Sequence, residues 1–334
     1  MNTLKTVSYI SLAVLSLGLS ACQKQDNTSS TAERPSAESA EQEVKTISIG
    51  FQKSALNLLV ARDEQLLEQQ FPNAKVEWKE FPAGPQMLEA LAVGAVDYGF
   101  VGNTPPIFAQ SAGKDLTYVG YEVTADESLA LVVPQQSQIQ KLEDLKGKRI
   151  ALQKGSKAHE FLSKILAKAG LGWTDIQPIW LPPADARAAF DKKSVDAWAV
   201  WDPFLAAAQL HGEAKVITKT GDFDKTYSFY VANPKFIQAH PQATAGLLKA
   251  LNEADQWIIK NQDLALGVYQ KNTGLDAEVA KLAFERRLKP NPTLPLTPEV
   301  IQAQQNIADE FQRLGLIPNK LEIQPIVWTA TSSH

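Results

Sequence analysis

A strand–turn–helix pattern occurs twice in this chain, about a hundred residues apart, and it leaves few folds open. In the first copy Ile47, Ile49 and Phe51 alternate as in a strand, Gln52-Lys53-Ser54 follow, and Leu56, Leu59, Val60, Leu66 and Leu67 recur at helical spacing. A second strand carries Val76 and Trp78, then Pro82-Ala83-Gly84-Pro85 turn into a helix with Met87, Leu88 and Leu91. A third strand, residues 96–101, runs into Asn103-Thr104-Pro105 at the start of another helix. The same order returns at residues 149–152, at 179–181 after a helix through Phe161 and Ile165, and at 197–201 after a helix with Ala186 and Phe190. The offsets barely drift: Gln52 and Gln153 are 101 apart, Pro82 and Pro182 are 100 apart, and Val96–Val195 and Asn103–Asp202 are both 99 apart. One or two such echoes arise by chance among α/β units; four in order mean two equivalent lobes.

Alternating strands and helices predict α/β layering on a largely parallel sheet in each lobe. Two lobes in one chain make a cleft, and ligands of open parallel sheets sit outside the carboxyl ends of the strands. All four echoed junctions are strand-to-helix turns and share that edge. Residues 235–325 are mainly helical by pattern, with Leu247, Leu248 and Leu251, then Ile301, Ile307 and Phe311, and are expected to cover the sheet of the first lobe after the chain crosses back. The crossings are expected near residues 128–134 and 227–233.

The beginning of the chain has another character. Lys5, an apolar run over residues 7–19 that is short for a membrane span, and small residues Ser20 and Ala21 form a signal-peptide pattern over residues 1–21. Leu19-Ser20-Ala21-Cys22 resembles a bacterial lipobox, and Cys22 is the only cysteine of 334 residues, so lipidation of Cys22 is expected. Residues 22–44, rich in Ser, Thr, Asn and acidic side chains, read as a disordered tether. The remaining division is lobe I, residues 45–133 and 231–334, and lobe II, residues 134–230. An exported, periplasmic protein held to a membrane by a lipid anchor is the localisation expected.

Charge and motifs narrow the function. With 33 basic against 37 acidic residues there is no basic field for nucleic acid. His159, His211, His240 and His334 lack metal-ligand spacing, and a lone cysteine excludes a disulfide framework and a cysteine-ligated zinc. No G-x-S-x-G elbow, P-loop or G-x-G-x-x-G occurs. The junctions instead offer helix starts, whose unpaired N–H groups and partial positive charge suit an anion. Ser54, Ser156 and Thr104 stand at such starts, Gly155 lets a ligand approach the backbone, and Lys53 and Lys154 add charge. Each is equally an ordinary helix cap; the functional reading comes from their recurrence along one edge of two facing lobes. Trp201 and Tyr230 are aromatic candidates for the cleft, Trp198 fits a core, Asp185 and Asp202 are caps or contacts, and Glu122 is a contact or solvated.

At these residues the chain resembles a known family. FPAGPQ at 81–86, VDYGFVGNTPPIFAQ at 96–110, PADARAAF at 183–190 and VDAWAVWDPF at 195–204 are similar to the aliphatic-sulfonate-binding proteins of bacterial ABC importers, and the resemblance runs over residues 45–328. It implies a two-lobe class II periplasmic binding fold that captures alkanesulfonates as a sulfur source. It also implies a monomer that delivers them to a membrane permease, with no cofactor and no catalysis. Carried over by position, it implies a pocket lined by Gln52, Lys53, Gly84, Gly102, Asn103, Thr104, Gly155, Ser156, Asp185, Trp201, Asp202 and Tyr230. Many relatives carry an acidic and a small residue where this chain has Asn103-Thr104, a change that removes a negative charge from an anion site. The alternatives are a receptor for taurine, nitrate or another small anion, an enzyme on the same fold, and a lipid-anchored sensor of another protein.

Overall fold

The computed structural model describes residues 43–329, so the signal peptide, Cys22 and nearly all of the tether lie outside the described residues. The first copy of the pattern forms β1 (Thr46–Phe51), α1 (Leu56–Asp63), α2 (Leu66–Gln70), β2 (Lys75–Glu80), α3 (Gly84–Ala92), β3 (Tyr98–Gly102), α4 (Thr104–Ser111) and β4 (Thr117–Val123). After β5 (Leu129–Pro134), the second copy forms β6 (Arg149–Leu152), α5 (Lys157–Lys168), β7 (Gln177–Trp180), α6 (Pro183–Asp191), β8 (Ala197–Trp201), α7 (Phe204–His211) and β9 (Ala214–Lys219). The chain closes with β10 (Tyr227–Ala232) and helices α8 (Pro234–Ala239), α9 (Ala243–Lys260), α10 (Gln262–Thr273), α11 (Ala277–Glu285) and α12 (Pro298–Arg313).

The two sheets have matching strand orders, β2-β1-β3-β10-β4 and β7-β6-β8-β5-β9. The repeat extends to single hydrogen bonds. The Ser48 amide donates to the Asp97 carboxylate at 2.7 Å, and the Arg149 amide donates to Asp196 at 2.8 Å. The Phe81 amide reaches the Phe51 carbonyl, as the Leu181 amide reaches Leu152.

Each sheet, expected to be largely parallel, is mixed through one reversed strand. β2, β1 and β3 run parallel, as do β7, β6 and β8, but β10 and β5 run antiparallel to both neighbours. The crossing of the chain causes this. A strand that arrives from the other lobe begins at the cleft edge, where the parallel strands end. Thus Leu129 at the start of β5 pairs with Trp201 at the end of β8, and Ser228 in β10 pairs with Gly102 at the end of β3. The segments expected to be crossings are therefore strands: β5 belongs to the second sheet and β10 to the first, and the chain changes sheet just before each of them, between β4 and β5 and between β9 and β10.

Burial explains the elements. β1 buries every residue after Thr46, as a central parallel strand covered on both faces does. The helices after β10 do cover the first sheet: Leu247, Leu251 and Ile258 of α9 join Ile47, Ile49 and Tyr230 in one core cluster. On the other face α12 presents Val300, Gln304, Ala308 and Phe311, a stripe at helical period, and Thr297 caps it by accepting from the Val300 amide at 3.3 Å. Phe311 joins Tyr118 and Phe229 there. Among the described residues no helix is long and apolar enough to cross a membrane.

Candidate functional site

The two sheets point their strand ends at each other, and the lobes meet there. A methyl group added at Gly102 of β3 would lie 2.8 Å from the Lys157 Cβ of α5, so only a residue without a side chain lets the lobes approach this closely. Gly155 stands at φ +71°, a backbone conformation that favours glycine, with Phe108 of α4 at ordinary van der Waals distance from any side chain placed there. Between the lobes lie two adjoining cavities, of about 50 and 20 Å³. Both are walled by Ser54, Phe100, Lys157, Trp201 and Ser228.

Six of the residues expected from sequence line these cavities: Gln52, Gly84, Gly102, Ser156, Trp201 and Asp202. Gln52 is buried and donates its amide to the Phe100 carbonyl at 2.9 Å, which holds the turn after β1 against β3. Ser156 accepts from the Ala158 amide at 3.2 Å and donates to the Gln153 carbonyl at 2.8 Å. It is the N-cap of α5, and its hydroxyl hydrogen is already engaged.

The other six stand elsewhere. Lys53 reaches away from the cleft and donates to the Thr273 carbonyl at 2.6 Å, at the carboxyl end of α10 where a cation is favoured. Thr104 is fully buried and donates to Asn103 Oδ1 at 3.0 Å, while Asn103 donates to the Thr226 hydroxyl at 2.9 Å. These two side chains fasten α4 to the crossing segment. Tyr230 is a core residue that donates to Glu122 at 2.6 Å. Gly155 packs on Phe108 beside the cavity, and Asp185 is exposed in the first turn of α6.

The charge of the cleft comes from residues that the repeat does not mark. Lys157 opens α5, half-buried between the lobes, and Arg287 follows α11; both line the larger cavity. Burial pulls the Lys157 ammonium down to about 8, helped by the Arg287 guanidinium and opposed by Asp202 and Glu122. Arg287 donates to the Ser54 carbonyl at 2.6 Å. Its neighbour Arg286 is engaged by Asp202 at 3.2 Å, in a pair that joins lobe to lobe. Burial raises the Asp202 carboxyl to about 6, against the pull of Arg286. Glu122 is also raised by burial, and it accepts from Tyr230, Asn57 and Thr293. A sequence signal existed for Arg287, the basic run Arg286-Arg287 before Lys289 in the helical tail, but it has no counterpart in the repeat.

An arrangement of this kind suits a small anion. The Lys157 ammonium, the Arg287 guanidinium and the first amides of α3 and α5 converge from both lobes. Phe100, Trp201, Tyr269 and Leu288 supply an apolar wall for an organic tail. Among the described residues no cluster of three His, Cys, Asp or Glu is placed to hold a metal.

A second contact closes the lobes. The His159 ring of α5 sits 5.4 Å from Phe108 and 5.7 Å from Phe311 in the first lobe, and 4.7 and 5.0 Å from Trp173 and Trp180 in its own. Burial in this aromatic box, with Lys154 nearby, drops its pKa to about 3 and keeps it neutral.

Comparison with known proteins agrees with this architecture. Residues 73–265 match the family model described as NMT1/THI5 like. A protein of Escherichia coli K12 named for binding aliphatic sulfonates is 42% identical over 88% of this chain and 92% of its own length. Among solved structures, the alkanesulfonate-binding protein SsuA from Xanthomonas axonopodis pv. citri, bound to MOPS, superposes with a TM-score of 0.83 at 40% identity, covering 86% of this chain and 99% of that one. The periplasmic aliphatic sulphonate binding protein SsuA from E. coli superposes with a TM-score of 0.80 at 41% identity, over 87% of this chain and 94% of its own. The two-lobe fold, the repeat and these matches along nearly the whole described chain place it in one group: the chain belongs to the NMT1/THI5-like family, among the aliphatic-sulfonate-binding proteins of class II periplasmic fold.

Proposed function

We propose that this chain is the solute receptor of an ABC importer and captures small aliphatic sulfonates as a sulfur source. The observation that carries the reading is a pair of cations, Lys157 from one lobe and Arg287 from the other, lining one cavity. Among the described residues neither forms an ion pair, whereas Arg286 beside them is engaged by Asp202. A sulfonate is anionic throughout the physiological range and offers three acceptor oxygens. Ammonium, guanidinium and helix-start amides can meet those oxygens while Trp201 and Leu288 cover the tail. The site retains Gln52, Gly84, Gly102, Ser156, Trp201 and Asp202 of the residues expected from sequence and adds Lys157 and Arg287. The relatives named for sulfonates support this choice over nitrate or taurine.

In this reading the chain binds and does not catalyse, which the relatives named for binding sulfonates support. It works as a periplasmic monomer, tethered by lipid at Cys22 and releasing its ligand to a membrane permease. Lobe II runs from about Leu129 to Thr226, between the two changes of sheet. Calorimetric titration with ethanesulfonate, taurine, nitrate and sulfate tests the function: saturable binding of ethanesulfonate in preference to the inorganic anions is expected, and tighter binding of nitrate or sulfate would overturn it. Fractionation of Cys22→Ser tests the anchor, with loss from the membrane fraction expected.

A further inference from the structure

Two cations share the larger cavity of the cleft, and the chain pairs neither with an acid. Lys157 lines both cavities, with its stem pinned at Gly102, where a methyl group would lie 2.8 Å from the Lys157 Cβ. Among the described residues its Nζ has no hydrogen-bond or ion-pair partner. Arg287 lines the larger cavity beside it and donates one N–H to the Ser54 carbonyl at 2.6 Å. The carboxylates of that cavity are engaged, Asp202 by Arg286 and Glu122 by Tyr230, Asn57 and Thr293. Tyr269, the remaining titratable group of the wall, is kept neutral by burial. Burial, with Arg287 beside it, brings Lys157 down to about 8, against Asp202 and Glu122. About half of the lysine is therefore an uncharged amine at pH 8, and a desolvated amine next to a cation is a nucleophile.

We propose that Lys157 is an acceptor for carbon dioxide, and that its carbamate pairs with the Arg287 guanidinium in the cleft. The Nζ lone pair attacks the carbon of CO2, one C=O electron pair moves onto oxygen, and a proton leaves Nζ for solvent. Lys–NH2 and CO2 thus give Lys–NH–COO⁻ and H⁺, and nothing is oxidised or reduced. The step replaces a cation by an anion, so repulsion from Arg287 becomes a charge-assisted hydrogen bond. The added group has three non-hydrogen atoms, which at about 10–15 Å³ each fit the cavity of about 50 Å³. The carbamate takes the ground of a sulfonate and carries the same charge, so carbon dioxide competes with the ligand. The modification stands on the cleft geometry; its effect on affinity rests on the sulfonate reading.

The test sample is the protein labelled with 15N at lysine Nζ, at pH 8 in 13C-bicarbonate. NMR should show a carbamate carbon coupled to one lysine nitrogen. The signal should be absent from Lys157→Met and at least about tenfold weaker in Arg287→Gln. It should also be lost at about pH 6.5, where only about 3% of such an amine is uncharged. Thermal melts confirm that both variants are folded. No coupled signal in the parent, or one that survives Lys157→Met or persists at pH 6.5, overturns the acceptor. An equal signal in Arg287→Gln overturns the pairing. Calorimetry at pH 8 then compares ethanesulfonate in bicarbonate and in chloride of equal ionic strength. Affinity should fall by about fivefold or more in bicarbonate, as carbamylation of about four-fifths of the lysine gives. Weaker binding without the coupled signal marks bicarbonate as a simple competing anion and overturns the carbamate. Unchanged affinity with the carbamate present overturns the competition alone. Failure of ethanesulfonate to bind in chloride strikes the sulfonate reading and leaves the NMR result standing.

Discussion

The Lys157 ammonium is the cleft group whose behaviour can be worked out furthest. Burial lowers it to about 8, and Arg287 adds to the effect. A bound sulfonate stabilises the charged form, so the pKa with ligand lies above the pKa without it, and binding takes up a proton near pH 8. The sign follows: affinity is full below about pH 8 and declines as pH rises through it, by up to about tenfold per pH unit until the liganded pKa is reached. Lys157→Met keeps much of the stem packed on Gly102 and removes the charge. A hydrogen bond to a charged group is worth about 1.5–3 kcal/mol, so the variant should bind ethanesulfonate roughly tenfold to a hundredfold more weakly at pH 7. It should also bind with no pH dependence above 8 and fold at least as stably, since it no longer buries an ammonium. Calorimetry at pH 7 to 10 reads the affinity, and repetition at pH 8 in two buffers of different ionisation heat reads the proton uptake, about half a proton for the parent. Equal affinity of parent and variant at pH 7, with both flat to pH 10, would refute the placement of the anion at Lys157.

Arg287→Gln should weaken ethanesulfonate by about tenfold or more, because the guanidinium faces the cavity while its bond to the Ser54 carbonyl is the lesser part of its role; an unchanged calorimetric affinity would remove Arg287 from the site. Ser156→Ala and Thr104→Ala should each lower unfolding stability by about 1 kcal/mol, through a lost N-cap and a lost buried hydrogen bond, yet keep ethanesulfonate affinity within about threefold. A large loss of affinity in a folded Thr104→Ala would bring that hydroxyl back into the pocket. His159 is neutral at about pKa 3 in the closed box and near 6.5 when exposed, so closure is fully favoured above about pH 6.5 and loses free energy as pH falls from there toward 3. Tryptophan fluorescence of Trp173 and Trp180 with saturating ethanesulfonate should therefore report opening below about pH 6 in the parent, and no such transition in a folded His159→Phe.

The parts of the fold legible in the sequence were those that repeat. Gln52 and Gln153, and Pro82 and Pro182, mark equivalent turns because the same local problem, ending a parallel strand and starting a helix, is solved twice. The antiparallel strands β5 and β10 were not legible, because an apolar run such as Leu129–Pro134 reads the same in either direction. Its direction is set by where the chain enters the sheet. The site divides in the same way. Gly84, Gly102 and Trp201, expected at the cleft from the turns that hold them, line the smaller cavity. Asn103 and Thr104 do not, since a polar side chain beside a helix start bonds to whatever backbone or neighbour lies nearest, and here that is each other and Thr226. Arg287 comes from a helical tail that only the folded chain brings across the sheet edge.

The distribution of charge in the cleft accounts for why a ligand would close it. Closing the lobes brings Lys157 against Gly102 and near Arg287, and the depressed pKa of the lysine measures that cost. Asp202 offsets part of it but is itself shared with Arg286 across the lobes, and Glu122 lies behind Tyr230 with its own partners. The two cations therefore line a cavity whose carboxylates, Asp202 and Glu122, are already engaged by Arg286 and by Tyr230. An anion that touches both lobes removes the penalty only in the closed form, which is the differential interaction that ligand-driven closure requires. The aromatic box around His159 adds an apolar contact that is indifferent to the ligand and holds the far side shut once the charges are matched. Selectivity then follows from geometry. A free inorganic anion can satisfy the cations but leaves the Trp201 and Leu288 wall uncovered, and an uncharged molecule of the same shape covers the wall and leaves Lys157 and Arg287 repelling each other. Only a molecule with both an anionic head and a short apolar tail meets both conditions.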